Sequence, residues 1–135
     1  MEAAAQNGDR PWVSVLTVDD QDVFRRVAHD VIVATPGFES VGEVCSGEEA
    51  LGAVERFHPD LVLLDVRMPG IGGVEAARRI TASHPETVVV LISIEDLENF
   101  ASDAETSGAA ALVRKQDFGP SLLQTIWQEH GTRAA

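Results

Sequence analysis

Six side chains able to do chemistry stand at or just after apolar runs in this 135-residue sequence. Asp19 and Asp20 follow Val13–Val18, with Asp22 close behind. Asp65 follows Leu61–Leu64, Ser93 follows Val88–Ile92, and Lys115 comes shortly after Ala109–Val113. Two carboxylates ~4 Å apart repel by roughly 4 kcal/mol at an effective dielectric of 20. Three together therefore take up protons or recruit a cation. An oxygen-rich site of this kind favours Mg²⁺, which keeps several waters and commonly coordinates a phosphate as well. A carboxylate is also a nucleophile able to form an aspartyl-phosphate. A Mg²⁺ ion, an ammonium and a hydroxyl then suit the three equatorial oxygens of a phosphoryl group in transfer. The chemistry indicated is Mg²⁺-assisted phosphorylation of an Asp. Taken singly, each residue has an ordinary role: a helix N-cap for the Asp pair, a loop start for Asp65, a cap for Ser93, a solvated surface for Lys115. Their coincidence at four run ends favours the joint reading.

Positioning these residues together requires a particular set of elements. Val13–Val18 reads as a strand, followed by a helix on which Phe24, Val27 and Val31 recur at spacings of three and four. Pro36-Gly37 marks a turn into a strand over Phe38–Val44, and Gly47–Phe57 is helical. Leu61–Leu64 and Val88–Ile92 are apolar without alternation, as strands covered on both faces are. Val74, Ala77 and Ile80 mark the helix between them; His84-Pro85 ends it. Leu97, Phe100, Ala101 and Ala104 predict a fourth helix, Ala109–Val113 a fifth strand, and Leu122, Leu123 and Ile126 a closing helix. Five rounds of strand then helix predict an α/β fold, an open, doubly wound parallel sheet with helices on both faces. Ligands of such sheets bind beyond the carboxyl ends of the strands, which is where the six residues fall. Residues 1–11 read as a flexible N-terminal tail, 12–130 as one domain and 131–135 as a C-terminal tail. That leaves no length for an output domain, so output is expected to pass through another molecule.

Composition excludes several classes. With 22 Asp+Glu against 10 Lys+Arg, the formal charge of −12 argues against direct nucleic-acid binding, which needs clustered cations. At 44% hydrophobic residues the chain is too apolar for disorder, and no run approaches the ~20 residues of a membrane span. One cysteine, Cys45, rules out an intramolecular disulfide framework and a Cys-based zinc site, and reads as a small core or strand residue. His29, His58, His84 and His130 show no metal-ligand spacing. No basic start leads into an apolar stretch, so a cytoplasmic location is expected.

Val18-Asp19-Asp20, Gly47-Glu48-Glu49-Ala50, the run from Pro59 through Asp65-Val66-Arg67-Met68-Pro69-Gly70, Leu91-Ile92-Ser93 and Gly108-Ala109 through Lys115 form one pattern. From about Ser14 to Glu129 the chain resembles the receiver domain of bacterial two-component response regulators, in the style of LuxR/NarL-type receivers. The resemblance implies a flavodoxin-like strand order, 2-1-3-4-5, with five strands and five helices. It implies Asp65 as phosphoacceptor and Mg²⁺ held by Asp20 and Asp65, by Asp19 largely through a water, and by the backbone carbonyl of Arg67. Ser93 and Lys115 would each engage a phosphoryl oxygen. The donor would be a phosphohistidine on a sensor histidine kinase or phosphotransfer protein. Phosphorylation would draw the Ser93 loop inward and signal to a downstream protein target through protein contacts, with no enzyme activity beyond self-catalysed phosphoryl transfer and dephosphorylation.

Three positions depart from the family's pattern. Leu112 stands at the switch position where Tyr or Phe is usual, so the aromatic readout is expected to be absent. Gln116 replaces the usual Pro after Lys115, removing the reason for a cis bond there. Ile94 replaces Ala or Gly after Ser93 and should narrow access to Asp65. The stretch from Glu95 to Glu105 carries five acids and no base, which reads as a solvated helix face. Arg25 and Arg26 read equally as partner contacts or solvent-facing residues. Alternatives within the family are a phosphorelay intermediate and a phosphorylation-independent pseudo-receiver. A haloacid-dehalogenase-like phosphatase uses similar groups, but puts its nucleophile in a D-x-D motif after the first strand; here the register at Asp65 reads Asp65-Val66-Arg67. A flavodoxin-type nucleotide binder needs a Gly/Ser/Thr phosphate cradle where Asp19-Asp20-Gln21-Asp22 stands.

Overall fold

The computed structural model of the protein describes residues 12–94, 98 and 100–131. In chain order the elements are β1 (Val13–Val18), α1 (Asp22–Ala34), β2 (Phe38–Val44), α2 (Gly47–Phe57), β3 (Leu61–Asp65), α3 (Gly72–Ser83), β4 (Val88–Ser93), α4 (Ala101–Ser107), β5 (Ala111–Arg114) and α5 (Pro120–His130). A single 3₁₀ turn over Lys115–Asp117 joins the last two. All five strands are parallel, in the order β2-β1-β3-β4-β5. This is the flavodoxin-like order that the resemblance implies.

The absence of alternation in β3 and β4 has its cause in the layering. Successive side chains of a strand point to opposite faces, and here both faces are covered. Leu16, Val18, Val62, Leu64, Val89 and Leu91 pack with Ala50, Val54, Ala77 and Ile80 on the α2/α3/α4 side. Val13, Val15, Leu61, Leu63, Val88, Val90 and Ile92 pack with Phe24, Ala28, Ile32, Leu123 and Ile126 on the α1/α5 side. Helix starts follow local chemistry. Ser46-Gly47-Glu48-Glu49 forms a capping arrangement in which the Ser46 hydroxyl accepts from the Glu49 N–H at 3.1 Å. The Glu49 carboxylate in turn accepts from the Cys45 N–H at 2.8 Å. Pro120 opens α5, where a missing N–H costs nothing.

At the amino edge of the sheet, buried Asp60 ties β1 to β3. Its carboxylate accepts from the Ser14 N–H at 2.8 Å and the Ser14 hydroxyl at 3.1 Å, while its own N–H reaches Ser14 at 3.0 Å. Asp60→Ala strands a buried N–H and a hydroxyl. It is expected to lower stability by about 2–3 kcal/mol in urea denaturation, with cation affinity at the opposite edge unchanged.

Several expectations are corrected. On α1 the buried residues are Phe24, Ala28 and Ile32, whereas Val27 is exposed, because the sheet-facing stripe runs at steps of four. The fourth helix begins at Ala101, with Phe100 at its N-cap position and packed on the α2/α3 side rather than within the helix. Leu97, like Glu95 and Asp96, lies outside the described residues, as do residues 1–11 and 132–135. β5 runs Ala111–Arg114, two residues later at its start than Ala109 suggests. Cys45 is exposed, neither core nor strand, because β2 ends at Val44 and Cys45 turns into the cap of α2.

Candidate functional site

Strand register alone sets the order of the site. Val18 pairs with Leu64, so Asp19 comes level with Asp65; Asp65 pairs with Ile92, putting Ser93 one step beyond. Ser93 pairs with Arg114, putting Lys115 one step further. Strand parity sets the direction. Asp65 continues the Leu61–Leu63 series, which faces α1 and α5, and Asp19 and Lys115 continue the corresponding series of β1 and β5. Three charged groups therefore converge under α1, in a cleft of about 130 Å³ lined by Asp20, Gln21, Asp65, Arg67, Ser93, Ile94 and Lys115.

Asp19 is fully buried and heavily restrained. Its N–H donates to the Val44 carbonyl at 3.1 Å, and its Oδ1 accepts from the Gln21 N–H at 2.8 Å. Arg25 donates to its backbone carbonyl at 2.6 Å. The ordinary capping role for the Asp pair is not what the structure has: the N-cap of α1 is Gln21, and no side chain caps it. Lys115 Nζ lies 2.7 Å from Asp19 Oδ2 and 3.8 Å from Asp65 Oδ1. The same ammonium sits 4.7 Å above the centre of the Phe24 ring. Asp20, by contrast, is exposed at the mouth of the cleft.

Oxygens of Asp19, Asp20 and Asp65 lie within 4.8 Å of one another. Three hard donors at that separation, with one lysine to balance them, fit a Mg²⁺ site by donor chemistry. Burial and the neighbouring carboxylates push the Asp65 carboxyl up from 3.8 to about 7. Burial is the largest cause, followed by the Asp19 charge; Lys115 opposes these, Asp20 adds to them, and a backbone hydrogen bond from Arg67 opposes them again. A divalent cation would relieve the same repulsion.

The loop after Asp65 is held by α2 and α3. Glu48 accepts from the Ile71 N–H at 3.2 Å, and the Gly73 N–H donates to the Val66 carbonyl at 3.0 Å. Only glycine fits at position 73, since a Cβ there would stand 1.9 Å from the Asp65 carbonyl oxygen. Arg67 projects its guanidinium over Phe100 at 5.1 Å. The cleft wall also holds Ser93, buried at the end of β4, and Ile94, 71% exposed on the rim. Leu112 is partly buried and packs on the α4 side, away from Lys115. After Lys115 the backbone goes straight into the 3₁₀ turn, and no cis peptide occurs among the described residues.

Asp20, Asp65, Arg67, Ser93 and Lys115 line this cleft, with Asp19 buried behind Lys115 at 2.7 Å, while Leu112 does not line it. Sequence reasoning missed two contributors. Arg25 reads as a surface cation but is bound to Asp19, and Phe24 reads as core but faces Lys115. Their signal was the spacing of five and six residues from Asp19, which a helix starting at Asp22 turns back toward it. Exposed Glu98, Asp103 and Glu105 of the acidic stretch stand outside the cleft.

Comparison with known proteins agrees with this architecture. Residues 15–127 match the family described as response regulator receiver domain. Response regulator GacA of Pseudomonas viridiflava is 39% identical over 114 residues, covering 84% of this chain and 53% of that protein. The chain spans about half the length of that curated relative. Among solved structures, the signal receiver domain of the response regulator NarL of Mycobacterium tuberculosis superposes with a TM-score of 0.83 at 28% identity, covering 92% of this chain and all of that one. The response regulator domain of Thermotoga maritima CheB gives 0.78 at 29% identity, covering 87% and 95%. No helix among the described residues is long and apolar enough to cross a membrane. The parallel 2-1-3-4-5 sheet, the acid cluster at its carboxyl edge and the match along most of the sequence give one conclusion: the chain belongs to the response regulator receiver domain family.

Proposed function

We propose that this protein is a signalling switch phosphorylated on Asp65 by a sensor histidine kinase or phosphotransfer protein, with Mg²⁺ as cofactor. The observation that carries the reading is the meeting of three carboxylates and the Lys115 ammonium in one small cleft. Asp65 Oδ attacks the phosphorus of a phosphohistidine, the P–N bond breaks, and the imidazole nitrogen keeps the bonding pair and takes up a proton. Asp19, Asp20, Asp65 and the Arg67 carbonyl would hold Mg²⁺, which supplies charge neutralisation for the incoming phosphoryl oxygens. Lys115 would shift its ammonium from Asp19 to one phosphoryl oxygen, and the Ser93 hydroxyl would donate to another. The signal then passes by protein–protein contacts, in the cytoplasm, with Ser93 as the moving residue and no aromatic readout at Leu112. Beryllofluoride with Mg²⁺ should shift the amide NMR signals around Asp65, Ser93 and Lys115; unchanged spectra would refute an active switch.

Ile94 bears on the rate. A branched side chain at the rim restricts both small phosphodonors and the water that hydrolyses the acyl phosphate. Ile94→Ala is expected to speed phosphorylation by acetyl phosphate and subsequent dephosphorylation by about two- to tenfold each. Unchanged rates, followed by intact mass over time, would count against this gating.

A further inference from the structure

Lys115 is the main positive charge in the cleft, and its ammonium is bounded on three sides. Asp19 Oδ2 lies at 2.7 Å, the Phe24 ring centre at 4.7 Å and Asp65 Oδ1 at 3.8 Å. Its side chain is 12% exposed, so little water is available to solvate the charge. The ring is itself fixed. Phe24 is buried on the sheet-facing side of α1, and Phe118, three residues after Lys115, packs against it at 6.1 Å and 54°. The segment that carries the ammonium therefore also braces the ring it rests on.

We propose that Phe24 is a positioning residue for Lys115, its ring face seating the ammonium against Asp19 with Asp65 as the remaining neighbour. This rests on the reading of Asp65 as phosphoacceptor and adds what holds the lysine ready for it. An aromatic face attracts a desolvated cation, whereas an aliphatic side chain of similar volume fills the core without that attraction. Two opposite consequences follow. An ammonium seated on Asp19 competes with a divalent cation for that carboxylate, so loosening it strengthens Mg²⁺ binding. The same loosening weakens capture of a phosphoryl-like group on Asp65, which needs the ammonium close by.

The test compares wild type with Phe24→Leu, Phe24→Tyr, Lys115→Met and Phe24→Leu/Lys115→Met. In metal-free protein, the change in unfolding constant caused by Phe24→Leu is expected to differ about three- to tenfold between the wild-type and Lys115→Met backgrounds. Magnesium titrations are expected to show Phe24→Leu binding Mg²⁺ about two- to fivefold more tightly, and beryllofluoride in saturating Mg²⁺ about three- to tenfold more weakly. Phe24→Tyr, which keeps the ring, should behave like wild type in both titrations. Additive unfolding effects, or Mg²⁺ and beryllofluoride affinities that move in the same direction, would overturn the proposal, because a loosened core weakens both. If wild type ignores beryllofluoride, the phosphoacceptor reading fails, and the metal-free coupling and Mg²⁺ titration still decide the role of Phe24.

Discussion

Replacing Asp65 by Asn is expected to reduce phosphoryl uptake from acetyl phosphate at least about a hundredfold, to below detection by intact mass. Wild type with Mg²⁺ should gain the mass of one phosphoryl group and lose it again on standing. Three carboxylates share the cleft, so the identity of the nucleophile needs its own argument. Asp19 Oδ1 is occupied by the Gln21 N–H and Oδ2 by Lys115, leaving a fully buried carboxylate without a free approach. Asp20 is exposed, where a phosphoryl group would gain least from Lys115 and Ser93. Asp65 is the buried carboxylate in the cleft wall, which it shares with Lys115, Ser93 and Arg67. An Asn side chain keeps the shape, yet its amide is too weak a nucleophile to attack phosphorus. Equal labelling of the Asp65→Asn protein would place the acceptor elsewhere.

Stability of the metal-free domain should fall as pH rises through the range in which Asp65 ionises. Folding raises this carboxyl from 3.8 to about 7, so between those values the folded state binds more protons than the unfolded chain. Stability linked to Asp65 is therefore greatest below about 4 and lost progressively up to about 7. Full linkage over that window amounts to about 4 kcal/mol, and solvent screening in an open cleft reduces it to about 2 kcal/mol. Asp65→Asn has no such proton to lose. In urea denaturation without metal it should match wild type near pH 4 and exceed it by about 2 kcal/mol at pH 8. Mg²⁺ should stabilise wild type more at pH 8 than at pH 6 and do little for Asp65→Asn. Parallel pH profiles for the two proteins would show that ionisation of Asp65 does not govern stability.

What could be read from the amino acids follows from how strongly each feature is coded locally. The unbroken apolar runs Leu61–Leu64 and Val88–Ile92 are buried on both faces, as strands covered by helices on either side are. Placing Asp19, Asp65, Ser93 and Lys115 at strand ends required only those runs and the parallel topology, since parallel strands bring all carboxyl ends to one edge. Val27 misled because a valine on an exposed helix face has the same local pattern as a buried one, and only the position of the sheet separates them. Cys45 misled for a similar reason: a small apolar residue beside a strand carries no signal of the cap into which the chain turns.

The sequence by itself determined the fold class and, through the family pattern, the identities of the acids, the hydroxyl and the lysine that share the sheet edge, because residue type and spacing along each strand fix edge and face. Tertiary structure decided how those groups are divided among partners. Lys115 sits closer to Asp19 than to Asp65, Arg25 holds the Asp19 carbonyl, and Phe24 faces the ammonium. Those choices depend on the docking of α1 and on the turn after β5, where a displacement of an ångström exchanges one partner for another, and no local spacing encodes so small a distance.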